Sequence, residues 1–156
     1  MFYPTQSGNQ DIVDAASHQK IKDFVEFWWS KHTPDRLPTR GDFDFYEITE
    51  WVSHVIIMDV LSNGSDFRYR LIGTRIVEAV GRDLTGKNVS NSSYTGNKDN
   101  VFQTFSMPVI EKRPIIRRGK MIWLHDKKWK NYESVHCPLF DKNRSVNMTI
   151  GVQYYF

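Results

Sequence analysis

The sequence predicts a mixed α+β domain built on a five-stranded antiparallel sheet. Val55–Leu61 is an apolar, β-branched run that is typical of a central strand. Phe67, Tyr69 and Leu71 alternate with Arg68 and Arg70, as in a half-buried strand. Asn63 and Gly64 lie between the two runs and both tolerate a positive φ, which favours a β-hairpin. Three further strand-like segments, separated by polar turns, end the chain: 114–124, 132–139 and 147–156.

Helical spacing predicts the elements before the hairpin. Residues 1–10 are expected to form a loose terminal arm. Asp11 is the predicted N-cap of a first helix that ends near Lys31, before Thr33-Pro34. Its apolar side chains recur with helical period: Ile21, Phe24, Val25 and Trp28. A short second helix is predicted over 43–53.

Two more helices are predicted between the hairpin and the last three strands. Gly73 breaks the strand alternation, and apolar residues at helical spacing follow until Gly81, which is typical of a helix C-terminus. A longer helix fits 100–112, with a kink at Pro108. Helices inserted between strands in this order cover one face of the sheet, so we expect an interior cavity of ligand size.

Length and composition set the broad class. A chain of 156 residues with 40% apolar and 25% charged residues is ordinary for a single globular domain. No apolar run approaches the ~20 residues that a transmembrane helix needs. The first eleven residues resemble no secretory signal, so a cytoplasmic location is expected.

Several functional classes find no support in the residues. Cys137 is the single cysteine, which excludes an intrachain disulfide framework and a multi-cysteine metal site. The five histidines are scattered, without metal-ligand spacing. Neither a nucleophile elbow nor a phosphate-binding glycine loop is present. The sequence therefore argues against an enzyme and a metal site.

Several separated motifs resemble the PAS sensor-domain family, and in particular a bacterial branch in which the domain is nearly the whole protein. The matching segments occur in the family's order: Leu37-Pro38-x-Arg40, Val55–Leu61, 67–74, 81–86 and 137–139. The resemblance spans residues 35–156. It leaves 1–34 as an arm and flanking helix with a capping or dimerising role.

The resemblance implies a sensor that holds a small ligand between sheet and helices and signals through protein contacts. Flavin-adduct relatives carry a reactive cysteine in the loop after the first short helices, where this chain has Leu84. Haem-binding relatives carry a histidine on the long helix, and residues 97–112 contain none. Both cofactors are therefore disfavoured, although Met107 and His136 stay open as iron ligands. The ligand itself is left unidentified.

Six residues are the candidate ligand contacts: Tyr69, Arg75, Phe105, Trp123, Glu133 and Cys137. Arg75 would present its guanidinium to an anionic ligand, the alternative being a structural salt bridge or a solvent-facing residue. Glu133 lies on an otherwise apolar strand face and requires a partner, for which Arg75 is a candidate, unless Glu133 reaches water at the strand end. The aromatic candidates line the pocket or simply fill the core. The Cys137 thiol is either reactive or buried and inert.

Two interaction surfaces are also predicted. The first helix is more apolar than one core contact requires, which predicts homodimerisation through Phe24, Phe27, Trp28 and Trp29. Residues 112–130 are rich in lysine and arginine, with Trp123 and Trp129 interleaved. This segment suggests a nucleic-acid-binding regulator as the alternative function. A solvated hairpin that resists edge-to-edge association explains the lysines better, and docking of an acidic protein is a third possibility.

Overall fold

The computed structural model describes residues 10–91, 98–120 and 130–156. In these residues six strands form one antiparallel sheet with the order β1-β4-β5-β6-β2-β3. The strands are β1 (Gln10–Val13), β2 (Val55–Leu61), β3 (Asp66–Ile72), β4 (Ile115–Lys120), β5 (Asn131–Phe140) and β6 (Val146–Tyr155). The helices are α1 (Gln19–Ser30), α2 (Thr74–Val80) and α3 (Lys98–Glu111). The predicted α+β fold class is confirmed.

The N-terminal segment differs from the prediction. Asp11 is not a helix N-cap, because residues 10–13 form β1 and pair with β4 as a sixth strand. The helix begins later, after His18, whose Nδ1 accepts a hydrogen bond from the Lys20 backbone N–H at 3.2 Å. The partner of β1 lies about a hundred residues away along the chain. Such distant pairing overrides local propensity and cannot be read from a helical pattern.

The region from 43 to 53 is also less regular than predicted. Short 3₁₀ turns occupy Arg40–Asp42 and Val52–His54, with hydrogen-bonded turns between them in place of a continuous helix. Ile48 and Trp51 in this region are nevertheless buried in the core. Trp51 packs on Phe24 of α1, a contact that does not require helical geometry around Trp51.

The hairpin and the joint that follows it match the sequence closely. Asn63 and Gly64 have φ values of 58° and 96°, so both adopt the left-handed conformation that the turn requires. At the end of β3, Gly73 donates its backbone N–H to the Val55 carbonyl at 2.7 Å. A Cβ atom on Gly73 would lie 2.3 Å from the Ser53 carbonyl oxygen, so only glycine allows this approach. α2 then ends at Gly81, as predicted.

The sheet is covered on both faces. Along β2, Val55 and Ile57 belong to one apolar cluster while Ile56 and Met58 belong to another, as the alternation of side chains along a strand requires. α1 packs on the first face, here named the α1 face, and α2 and α3 pack on the second, the α3 face. The two faces therefore hold separate cores, and a residue's parity along its strand decides which core it joins except at bulges, as between Tyr69 and Leu71 of β3.

A buried carboxylate attaches the start of α1 to the sheet. Glu133 of β5 accepts hydrogen bonds from the backbone N–H groups of Ser17 and His18, at 3.1 and 2.8 Å, and from the Ser17 hydroxyl at 2.7 Å. Arg118 of β4 forms a salt bridge with the same carboxylate and donates to the Ala15 carbonyl at 2.7 Å. Burial alone would raise the pKa of Glu133. The donors from Arg118, His18 and Ser17 outweigh burial and hold that pKa below its usual value.

Replacing Glu133 tests this attachment. In Glu133→Gln the amide NH₂ would face N–H donors, and Arg118 would lose its ionic partner. We expect the free energy of unfolding to fall by about 2–3 kcal/mol at pH 7, measured by urea denaturation. Glu50→Gln is the matched control, because Glu50 forms an exposed salt bridge with Lys20 and should change stability by less than about 1 kcal/mol.

The difference in stability between wild type and Glu133→Gln should also depend on pH. Since the folded-state pKa of Glu133 is depressed, its contribution is complete above the unfolded-state pKa of about 4.3 and is lost as pH falls through the folded-state pKa. The stability difference between wild type and Glu133→Gln should therefore be largest near neutral pH and shrink in acid. A difference that stays constant down to pH 3 would contradict the assignment.

Candidate functional site

A row of buried polar side chains crosses β4, β5 and β6 on the α3 face. Arg117 of β4 lies directly opposite Ser134 of β5, and Ser134 lies opposite Gln153 of β6. Side chains at paired positions lie on the same face, with Cβ atoms about 5 Å apart. All three residues are at most 2% exposed. We name Arg117, Ser134 and Gln153 the polar row.

His136 lies next to the polar row, two residues along β5 from Ser134. Its ring occupies the space above Gly151, where an added Cβ atom would lie 2.8 Å from Nδ1. Phe105 of α3 meets the imidazole edge-to-face, with 5.5 Å between ring centroids. Burial, and secondarily the charge of Arg117, lower the pKa of His136 to about 3. The imidazole is therefore neutral at physiological pH and adds no charge to this face.

Apolar and aromatic residues form the remaining wall. Thr149 of β6 lies opposite Met58, which lies opposite Tyr69 of β3. Tyr69 packs edge-to-face on Phe105 at 5.9 Å. Other buried residues of this cluster come from α2, α3 and the segment between them: Ile76, Val80, Leu84, Val89 and Val101. The α3 face thus combines a polar end with an apolar end.

Three polar atoms on this face have no hydrogen-bond partner among the described residues: Ser134 Oγ, Thr149 Oγ1 and Gln153 Oε1. The amide nitrogen of Gln153 donates to the Tyr155 hydroxyl at 2.9 Å, which leaves the amide oxygen as the free acceptor. A buried polar group without a partner costs about 1–3 kcal/mol. The two hydroxyls offer both a donor and an acceptor, so the site can recognise a polar ligand.

The predicted ligand contacts do not lie together in the structure. Tyr69 and Phe105 lie on the α3 face, near the polar row. Cys137 and Glu133 lie on the α1 face, because they alternate with Ser134 and His136 along β5. Burial raises the pKa of the Cys137 thiol well above its usual value, so the thiol stays protonated. Trp123 lies outside the described residues.

The predicted pairing of Arg75 with Glu133 is wrong. Arg75 lies on the outer side of α2, with 62% of its side chain exposed, and its carboxylate partner is Glu78 at 3.5 Å. The inner side of that helix carries Ile76, Ala79 and Val80. Glu133 instead pairs with Arg118 on the opposite face of the sheet. Arg75 thus forms an exposed salt bridge, which is the alternative to ligand binding that the sequence left open for it.

The predicted interface residues of α1 also separate. Phe24 and Trp28 are completely buried in the chain's own core, and the Trp28 indole donates to the Pro138 carbonyl at 2.9 Å. Phe27 packs on Phe43 and Trp51. Only Trp29 of the four is exposed, at 48%. The wide apolar stripe is therefore explained largely by intramolecular packing.

The three arginines in the described part of the basic segment are used within the fold. Arg113 pairs with Glu111, Arg118 pairs with Glu133, and Arg117 is buried in the polar row. Residues 121–129, which include Lys127, Lys128 and Trp129, lie outside the described residues. Three arginines that suggested a nucleic-acid surface thus have structural positions instead.

Sequence reasoning missed the polar row entirely. On β5 it grouped Glu133 with the apolar positions, such as Val135, gave Ser134 no role and considered His136 only as an iron ligand. That inference holds for a sheet with one solvated face, but here both faces are buried. The sequence did contain a signal. Residues 134 and 136 of β5 and 149 and 153 of β6, at alternate positions of their strands, are polar but carry no charged Asp, Glu, Lys or Arg: they are Ser, His, Thr and Gln.

Leu84 is buried on the α3 face, whereas Cys137, the chain's single cysteine, lies on the α1 face. Within residues 10–91, 98–120 and 130–156, no three metal-ligating side chains cluster. In the same residues, no helix has the length and apolar character needed to span a bilayer.

Comparison with known proteins gives the family. No curated protein sequence matches the chain. Three similar solved structures, two of them described as light-oxygen-voltage domains, each share 12% identity with it. A domain studied with a flavin analogue has a TM-score of 0.46 and covers 71% of this chain and 82% of its own. The blue-light photoreceptor Aureochrome1 in its light state scores 0.43, with 70% and 86% coverage.

A variant of Vivid scores 0.44, with coverage of 92% of this chain and 98% of its own. Likenesses at these scores say nothing about the ligand of this chain. The sequence model of the PAS domain family matches residues 16–153, which includes α1 and nearly the whole sheet. The chain belongs to the PAS domain family.

Proposed function

We propose that this PAS domain is a sensory module that binds a small ligand at the polar row and signals through protein contacts or homodimerisation. The observation that carries the proposal is that polar atoms of Ser134, Thr149 and Gln153 have no hydrogen-bond partner in the described part of the chain. A ligand that completes their hydrogen bonds would offset a cost of about 1–3 kcal/mol for each atom. PAS domains are generally sensory, which agrees with this function.

The position of the site supports a route for the signal. Ser134 faces the proposed ligand, while the adjacent residue Glu133 holds the start of α1 on the opposite face. A shift of β5 on ligand binding would therefore reach α1 without a longer chain of contacts. In this proposal α1, within the 1–34 segment, is the output element, and its exposed Trp29 contacts a second copy of the chain or a signalling protein.

Removing two of the partnerless hydroxyls tests ligand binding. We expect the double variant Ser134→Ala/Thr149→Val to be as stable as wild type or more stable without ligand, because it deletes buried polar atoms that lack partners. The same variant should lose ligand bound to the wild type. Native mass spectrometry of protein purified from its own host measures occupancy, and thermal unfolding measures stability.

Ser145→Ala is the control, since Ser145 lies exposed in the turn between β5 and β6. It should retain the ligand. A wild-type protein that carries no small molecule, and that none of a broad set of metabolites stabilises, would overturn the proposed function. Equal ligand occupancy in wild type and the double variant would move the site elsewhere.

Dimerisation is tested at the exposed part of α1. We expect Trp29→Ala to weaken self-association by about tenfold or more in sedimentation at micromolar concentration, since exposed tryptophans often dominate interface energies. Tyr46→Ala is the control, because Tyr46 is exposed outside α1. Trp28→Ala is unsuitable, since it would create a core cavity. A monomeric wild type, or a dimer unchanged by Trp29→Ala, would exclude this interface.

A further inference from the structure

We propose that the indole of Trp29 binds in a groove of a second copy of the chain, and that the two copies make this contact reciprocally about a two-fold axis. The groove lies between α1 and the residues that join β1 to α1. This inference rests on the dimerisation in the proposed function and names the surface that accepts Trp29. It does not depend on the polar row or on the identity of a ligand.

Three elements of the described chain form the groove. The connector between β1 and α1 is one wall, α1 is the other, and Ile116 of β4 lies at the base. The volume of the groove is about 290 Å³. Small-molecule sites usually have volumes of about 300–1,000 Å³, so a groove of this size suits one large side chain better than an extended ligand.

The lining of the groove combines apolar surface with carboxylates. Ala16, Val25 and Ile116 supply the apolar surface and pack together on the α1 face. Asp14 and Glu26 are exposed, and neither carboxylate has a hydrogen bond or ion pair among the described residues. An occupant that suits this lining has an apolar body and one hydrogen-bond donor. The indole of tryptophan has both, since its ring is apolar and its N–H is a donor.

Lys22 adds a preference for an aromatic occupant. It lines the groove, is exposed, and has no ion-pair partner in the described part of the chain. An ammonium group above an aromatic ring stabilises the contact by about 0.5–1 kcal/mol at an exposed site. An aliphatic side chain in the same place would gain no such interaction.

Trp29 is the occupant that the chain itself provides. Of the tryptophans in the described residues, Trp28 and Trp51 are buried and Trp29 is exposed. The Trp29 ring contacts the rings of Trp28 and His32, with centroids 4.8 and 5.1 Å apart. These contacts restrict the orientation of the indole, so less conformational entropy is lost when it binds.

The positions along α1 make the contact self-complementary. Trp29 follows the groove residues Lys22, Val25 and Glu26 by seven, four and three positions, so all four lie on one side of the helix. In an antiparallel pair of α1 helices whose two-fold axis passes between residues 25 and 26, Trp29 of each copy lies opposite Lys22 of the other. The two positions are about 10 Å apart along the helix axis. Each copy therefore supplies one indole and one groove, as a two-fold interface requires.

Two variants of the full chain separate the indole from the groove. Trp29→Ala removes the indole and leaves the groove intact. Ala15→Gln places a longer side chain at an exposed position of the groove wall and leaves the indole intact. Each variant alone should weaken the dimer at least about tenfold in sedimentation at micromolar concentration. Ser145→Gln is the matched control, because Ser145 is exposed in the turn between β5 and β6, and it should dimerise as wild type does.

A mixture of the two variants tests whether the indole and the groove meet. A mixed dimer has one intact contact, since the Ala15→Gln copy supplies Trp29 and the Trp29→Ala copy supplies an open groove. Neither variant can form such a contact with itself. With a fluorescent label on one variant, the mixed dimer should associate at least about tenfold more tightly than either variant alone.

Lys22 gives a second measurement of the same contact. Lys22→Gln should weaken the wild-type dimer at least about twofold, as expected for loss of an exposed cation–π contact. In the Trp29→Ala background the same substitution should have no effect on association, because the ring that Lys22 contacts is absent. An equal effect in both backgrounds would contradict the contact between Lys22 and Trp29.

The outcomes separate this inference from the proposed function. If Trp29→Ala weakens the dimer but the mixed dimer is no tighter than either variant alone, the groove is wrong and dimerisation through Trp29 stands. If wild type is monomeric, both the groove contact and the α1 interface fail. The Ser134→Ala/Thr149→Val variant tests ligand binding at the polar row independently of either result.

Discussion

The salt bridge between Arg118 and Glu133 attaches the residues before α1 to strands β4 and β5, which lie more than a hundred residues later in the sequence. It connects β4 and β5 to the turn before α1, and Glu133 caps the first N–H groups there through Ser17 and His18. α1 has no acidic residue in its first turn, so this distant carboxylate supplies the negative charge that favours a helix N-terminus. Without this interaction the helix that covers the α1 face would be held mainly by apolar contacts, which do not define where it begins.

β5 is consequently the element on which both halves of the protein depend. Its odd-numbered residues, Glu133 to Leu139, face α1, while Ser134 and His136 face α3. A ligand that moves the second set by a fraction of an ångström also moves the first, since the two alternate along one backbone. The close approach of His136 to Gly151 leaves little freedom for β5 to move independently of β6. This stiffness is useful in a sensor, because neighbouring residues cannot easily rearrange to take up a small displacement of β5.

Much of the fold follows from local rules. The β2–β3 hairpin, Gly73, α2 and the Gly81 terminus occur where the turn residues and periodicity predict them, and β6 differs by only one residue at each end. The candidate site was predicted less well. Tyr69 and Phe105 lie near it, whereas Arg75, Glu133 and Cys137 do not. Polar residues in alternate positions of β5 look solvent-facing until the sheet is known to be covered on both sides.

The sequence by itself determined the fold class, the PAS resemblance and the bounds of the elements that are specified by neighbouring residues. Only the tertiary structure decided that residues 10–13 are a strand, that Glu133 pairs with Arg118, and that Arg117, Ser134 and Gln153 meet in one row. The physical reason is the range of the interactions. Turns and most helix ends depend on residues a few positions apart, whereas strand pairing, burial of charge and the attachment of α1 depend on partners that the sequence places up to 116 residues away.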